Sequence, residues 1–165
     1  MIYYDQIIHS IFLACRYESY LELGIYDGAT FDRVSSASKY SQAVDICDKR
    51  INKSSNLFMG TTEEFFVTNK NKFDCIFIDA DHRYESAKND FIKSLDILNK
   101  EGTIFIHDTC PQHAHLLQDG YCSDSYKLNE YLSTVSNISF VTLPADIAGL
   151  TIIRFKDSLR YKNFL

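Results

Sequence analysis

Two short stretches carry most of the reactive side chains in this sequence: FIDADHRYE at Phe77–Glu85 and FIHDT at Phe105–Thr109. Each runs from an apolar segment into carboxylates and imidazole, with Asp79, Asp81 and His82 in the first and His107 and Asp108 in the second. Carboxylate oxygens suit hard divalent cations, and an imidazole has the ordinary pKa to take a hydroxyl proton near neutral pH. A third stretch, YLELGIYDGAT at Tyr20–Thr30, places Glu22 near the end of an apolar run and follows it with bare backbone at Gly24 and Gly28. Asp45 closes another apolar run about twenty residues after Gly24. That is the distance at which an acid meets ribose hydroxyls in nucleotide-binding folds.

The elements that must position these residues are legible as apolar runs. Strand-like segments occur at YLELG, QAVDIC, NLFMG, FDCIFIDA, GTIFIHD, ISFVTL and LTIIRF. Helical periodicity fills most of the gaps, most clearly in YESAKNDFIKSLDILNKEG, where Ala87, Phe91, Leu95 and Leu98 make one stripe and Gly102 follows the end. Strands alternating with helices predict an α/β fold with a mostly parallel sheet covered on both faces. The last two strands are joined through PADIAG, which leaves no room for a helix, so they are expected as an antiparallel pair. Ligands of such sheets bind beyond the carboxyl ends of the strands, where all the candidate residues fall.

Length and composition bound the rest. The 165 residues fit one domain, 1–165, with 45% hydrophobic and 24% charged residues, as in ordinary globular proteins. A net charge of -5 with no dense Lys/Arg cluster disfavours nucleic acid as the main partner and leaves a small polar molecule open. Ile7, Ile8, Ile11 and Phe12 recur at helical spacing near the start, but Asp5 and His9 interrupt the run, which fits neither a secretory signal nor a membrane span. The closing RFKDSLRYKNFL reads as a solvated tail or edge. Five scattered cysteines without a CxxC pair read as reduced thiols and a cytoplasmic location. Phe65, Phe66, Phe73 and Phe77 read as core.

The glycine pattern narrows the cofactor. A dinucleotide fingerprint needs a glycine where this chain has Tyr26, so NAD fits poorly. A ligand without phosphates needs only close approach at Gly24 and a tight turn at Gly28, which describes S-adenosyl-L-methionine (SAM). The ordered set ELGIYDGAT, VDIC, GTTEEFF, FDCIFIDADHRYE and GTIFIHDT, spread from about Tyr20 to Phe155, resembles the motif series of class I SAM-dependent O-methyltransferases. The likeness is to the small-molecule group containing the catechol, caffeoyl-CoA and macrolide-sugar enzymes.

The resemblance implies a Rossmann-like seven-stranded sheet of order 3-2-1-4-5-7-6 with the last strand antiparallel. It places Glu22, Gly24 and Gly28 under the methionyl and ribose parts of the cofactor, with Thr30 nearby. Asp45 would meet the ribose, and Gly60, Thr61 and Thr62, with Glu63 beside them, the adenine edge. Asp79 and Asp108 fall on metal-ligating aspartates, and His82 on the position of a catalytic base. Ends of adjacent strands lie roughly 5 Å apart, close enough for two carboxylates to share a cation, and an all-oxygen site suits Mg2+. The pattern departs at two places. The phenol-type enzymes follow the second aspartate with Asn, and this chain has Thr109; the sugar-type enzymes precede it with an acid, and this chain has His107. A third protein ligand is therefore missing or replaced.

The implied activity is methyl transfer to a hydroxyl of a small molecule, plausibly a sugar or sugar-bearing metabolite. A non-catalytic SAM-binding module or partner subunit is the alternative, and an NAD-dependent reductase a weaker one. Relatives often dimerise, which makes a homodimer an expectation. Asp81 reads either as a site residue or as the N-cap of the helix after it. Cys110, His113, His115 and Cys122 share one loop without the spacing of a zinc knuckle, so substrate contact by His113 or His115 is the better reading there. Substrate choice falls to that loop, the N-terminal helix and the turn around Asp146.

Overall fold

A computed structural model describes residues 3–50 and 56–157. Of the basic close, residues 158–165 lie outside that range. One sheet contains seven strands: β1 (Ser19–Leu23), β2 (Tyr40–Asp45), β3 (Leu57–Met59), β4 (Phe73–Ile78), β5 (Leu98–His107), β6 (Ile138–Leu143) and β7 (Leu150–Phe155). Their order is β3-β2-β1-β4-β5-β7-β6, as the motif series implies. β1 to β5 pair in parallel, and β7 runs antiparallel to both neighbours. The pairs Ile138↔Phe155 to Leu143↔Leu150 make the predicted hairpin of β6 and β7.

Strand alternation sorts the core into two layers. Leu21, Leu23, Val44, Ile76, Ile78, Ile104 and Ile106 face one side, under α3 (Thr62–Thr68), α4 (Tyr84–Ile97) and α5 (Leu128–Thr134). Tyr20, Ala43, Cys75, Phe77 and Phe105 face the other, under α1 (Tyr4–Ala14) and α2 (Ala29–Ser35), which contribute Ile8, Phe12, Phe31 and Val34. Phe65, Phe73 and Phe77 are buried and Phe66 packs against the first layer, so all four belong to the core. Among the described residues no helix is long and apolar enough to cross a membrane.

Two local readings need correction. Gly102 does not stop α4. The helix ends at Ile97, Leu98 already pairs with Phe73, and Gly102 lies inside β5 where the register shifts between Phe73 and Cys75. A Cβ there would meet Asp74 O at 2.7 Å and Leu98 Cδ1 at 2.6 Å, so the glycine serves a strand crossing rather than a cap. Nor is Asp81 the N-cap of α4; Arg83 is. The Asp81 carboxylate instead accepts from the Arg83 backbone N–H at 3.1 Å and from Ser86 Oγ at 2.8 Å. The paired Arg83 guanidinium helps hold the Asp81 carboxyl down at about 2.

Asp90 is an acid buried on α4, 2% exposed. Burial pushes its carboxyl up to about 6, opposed by a hydrogen bond from the Thr62 side chain. A folded-state pKa above the unfolded value of roughly 3.9 means that the ionised form is the one that destabilises. The penalty is absent below about pH 4 and complete above about pH 6. Asp90→Asn is therefore expected to stabilise the protein by about 2–3 kcal/mol at pH 7.5, with the gain vanishing near pH 4. Urea denaturation at the two pH values checks this; a gain independent of pH would contradict it.

Candidate functional site

The chain leaves β1 at Leu23 and turns at Gly24, whose φ is 81°. The Gly24 N–H donates to Val44 O at 2.8 Å, and the Asp79 N–H donates to Leu23 O at 2.8 Å. A Cβ on Gly24 would sit 2.2 Å from Asp79 O and 2.4 Å from the Ala80 Cα. What presses against this bare backbone is thus the exit of β4. Gly24 lets the two strand ends touch, and that contact sets where Asp79 begins. Gly28, with φ 84°, is the N-cap of α2.

Asp45, at the end of β2, turns its carboxylate onto the turn after β1. It accepts the N–H groups of Ile25 at 3.0 Å and Tyr26 at 3.2 Å, and that of Cys47 at 3.0 Å. Beside it Ile46 and Tyr26, 74% and 71% exposed, form an apolar border. Glu22 lies deeper, 2% exposed, and accepts a hydrogen bond from the Tyr20 hydroxyl. Burial pushes its carboxyl well above the usual range, opposed by that hydrogen bond.

Tyr4 has no signal in the sequence. Its ring lies tilted by 45° against that of His107 with centroids 4.1 Å apart, and Thr30 is among the groups beside its hydroxyl. Burial, reinforced by the nearby Asp79 and Glu22 charges, pushes the phenol up to about 12. An Arg33–Asp5 ion pair of 2.7 Å ties the first turn of α1 to α2 beside it.

The ends of β4 and β5 bring the reactive groups together. His107 Nδ1 is 3.1 Å from Asp79 Oδ1 and 3.5 Å from Asp108 Oδ1. His82 lies 3.7 Å from Asp79 Oδ1 through Nε2 and 3.1 Å from Asp108 Oδ2 through Nδ1. One ligand atom each from Asp79, His82 and Asp108 fall within 4.8 Å of one another. Burial alone would lower the His107 pKa, but Asp79 and then Asp108 overcome it and raise it to about 9. The backbone of Asp108 is left-handed, φ 60°, a conformation in which aspartate is enriched among non-glycine residues.

A loop closes over this cluster. Cys122 Sγ donates to Asp108 Oδ1 at 3.1 Å, Ser125 Oγ donates to Asp108 O at 2.8 Å, and His82 Nδ1 contacts the Tyr121 carbonyl. The cavity left between Asp79, His82, His107, Asp108 and Ser125 has a volume of about 10 Å³, room for one water or ion. Thr109 is turned away from it. Its hydroxyl accepts from Thr151 Oγ1 at 2.8 Å, and Thr151 belongs to a hydroxyl network with Thr142 and Asn129.

The remaining candidates lie apart. Thr61 is the N-cap of α3 in a capping box with Glu64, so its hydroxyl accepts the Glu64 N–H. Thr62 faces Asp90, and the exposed Glu63 pairs with Lys93 at 3.0 Å. T-x-x-E spacing in the sequence is the signal for that box. His113 and His115 stack on each other with centroids 5.6 Å apart. Among the described residues they join Cys110 and Cys122 in no metal-ligating group.

A family described as a methyltransferase domain matches residues 21–109, more than half of the chain. No curated protein matches it significantly in sequence. Several solved structures share its fold. A Staphylococcus aureus protein provisionally assigned as a caffeoyl-CoA O-methyltransferase is 18% identical with TM-score 0.75, over 92% of this chain and 82% of that one. The SAH-bound methyltransferase PaMTH1 of Podospora anserina is 20% identical with TM-score 0.73, over 93% and 78%. A Bacillus cereus O-methyltransferase in complex with SAH is 13% identical with TM-score 0.72, over 92% and 80%.

Because a Cβ at Gly24 would overlap main-chain atoms at positive φ, Gly24→Ala is expected to lower stability by at least about 3 kcal/mol. The melting midpoint then falls by roughly 6–12 °C. Thermal denaturation followed by circular dichroism checks this, and an unchanged midpoint would contradict it.

Proposed function

This chain belongs to the methyltransferase-domain family, and from that membership we propose that it moves the methyl group of SAM to a hydroxyl of a small molecule. The observation that carries the hydroxyl part is the meeting of Asp79, His82 and Asp108 just beyond β4 and β5. There a hydroxyl can be held and stripped of its proton. The acceptor is a small hydroxylated metabolite, a sugar or sugar-bearing one. A net charge of -5 makes nucleic acid a poor alternative.

SAM supplies a methyl already activated on a sulfonium. An O–C bond forms, the S–C bond breaks onto sulfur to leave SAH, and the hydroxyl proton has to go elsewhere. The chain's work is alignment and removal of that proton. With no cation bound, His82 is the base that takes it, at the neutral imidazole. Asp79 and Asp108 are the residues that would hold a divalent cation, Mg2+ if oxygen ligands alone decide, and such an ion lowers the pKa of a bound hydroxyl. The buried Asp108 Oδ2 lacks a hydrogen-bond partner, which fits such a ligand. Glu22, Gly24, Gly28 and Thr30 are assigned to the methionyl and ribose side. Asp45 is assigned to the ribose hydroxyls, and Gly60, Thr61 and Thr62 to the adenine edge.

The second reading, a SAM-binding module without turnover, draws on the tight cover over the cluster, where Tyr4 and residues 121–125 close the approach. Calorimetric titration with SAM and SAH separates the readings when combined with product analysis on a panel of hydroxylated metabolites. Saturable heat plus methylated product is expected, and His82→Ala is expected to lower kcat by about 10²–10⁴-fold with SAH affinity retained. Heat without any product favours the module, and no heat with either ligand would overturn both.

A further inference from the structure

We infer that His82 supplies the third protein ligand of a transition-metal cation held with Asp79 and Asp108, so that the site prefers Mn2+ over Mg2+. This deepens the proposed function and rests on its cation clause. The position next to Asp108 is withdrawn, since Thr109 is 1% exposed and its hydroxyl is bonded to Thr151. His82 stands beside the gap, 3.1 Å from Asp108 Oδ2. Its ligand atom and one oxygen from each aspartate already lie within 4.8 Å of one another. Ligand atoms on one cation at 2.0–2.2 Å, the range of such bonds, sit roughly 3 Å apart, so a contraction of about 1–2 Å completes the set.

Three features of the cluster favour coordination over a purely structural ion pair. Asp108 is 5% exposed, yet its Oδ2 has no hydrogen-bond partner and lies 3.1 Å from the His82 ring at an angle that makes none. Buried carboxylate oxygens are rarely left so. The second feature is the contact of His82 Nδ1 with the Tyr121 carbonyl. A carbonyl only accepts, so Nδ1 carries the proton and the Nε2 lone pair is left free on the side of Asp79. A backbone carbonyl holding the far ring N–H is the usual support of a metal-bound imidazole. Third, among the described residues no Lys or Arg pairs with Asp79 or Asp108; the imidazoles of His82 and His107 are the basic side chains beside them. The cavity between them has room for a single ion.

One nitrogen and two carboxylates form a mixed donor set. Mg2+ holds to oxygen and to its waters, whereas imidazole suits the first-row transition metals, of which Mn2+ also accepts carboxylates readily. An imidazole whose Nε2 holds a cation cannot also take a proton there. With a cation in place, His82 would help hold it, the ion would lower the pKa of the acceptor hydroxyl and the proton would pass to solvent; the role of His82 as base belongs to the site without one.

Electron paramagnetic resonance with Mn2+ as the probe tests this on the whole chain, without SAM or acceptor. One Mn2+ per chain is expected, at least tenfold tighter than Mg2+ in competition, with ¹⁴N coupling in the pulsed spectrum. His82→Gln is expected to remove that coupling and weaken Mn2+ at least tenfold. His107→Gln should retain it, which identifies the nitrogen even if the first variant does not fold. Bound Mn2+ without nitrogen coupling, or coupling that survives in His82→Gln or disappears in His107→Gln, overturns the assignment of His82 but leaves a carboxylate cation site standing. Absence of Mn2+ binding overturns the cation clause as well, while methyl transfer is still judged by SAH heat and product.

Discussion

The site depends on two strand ends touching without a side chain between them. Gly24 stands against the backbone of Asp79 and Ala80, closer than any Cβ would allow. The same crossing is tied by the Asp79 N–H on Leu23 O. Because β4 is held there, Asp79 leaves the sheet beside His107 at the end of β5. A shift of one residue in the β1–β4 register would exchange the two faces of the sheet and carry the cluster away from its cavity. The glycine is a constraint of assembly first.

Around that contact the protein concentrates like charge and then balances it. Asp79, Asp108 and the deeper Glu22 are three carboxyls near one end of the sheet, with burial pushing the Glu22 carboxyl well above the usual range. His107 answers the other two, its pKa raised to about 9 although burial opposes this. Asp108 in turn takes hydrogen bonds from the covering loop through Cys122 and Ser125. Placing such groups at the ends of the strands confines most of their desolvation penalty to one edge of the sheet. Leu21, Ile76 and Ile104 beneath them have none to bear.

How far this could be seen beforehand depends on whether the cause is local. The strands, the closing hairpin and the acids at strand ends follow from apolar runs and from where those runs stop, whereas the strand order that sets Asp79 beside Asp108 follows from the resemblance of the motif series. Asp45 was found in the same way. Tyr4 was not, because its partners Thr30 and His107 are distant in the chain and a tyrosine on a helix is unremarkable without them. Gly102 was misread because a glycine after a helical stripe is also what a strand crossing looks like in one dimension. The retreat of Thr109 into the Thr151 network depends on β7, more than forty residues further on, and no local pattern announces it. Thr61 was legible as a cap and was read only for its possible ligand.

Tyr4 and the Arg33–Asp5 pair hold the first turn of α1 against α2, with the phenol beside Thr30. A ligand that reached Thr30 would meet the protein's own phenol, tethered and therefore at high local concentration. Its affinity would then be the intrinsic affinity scaled by the fraction of molecules in which that phenol has let go.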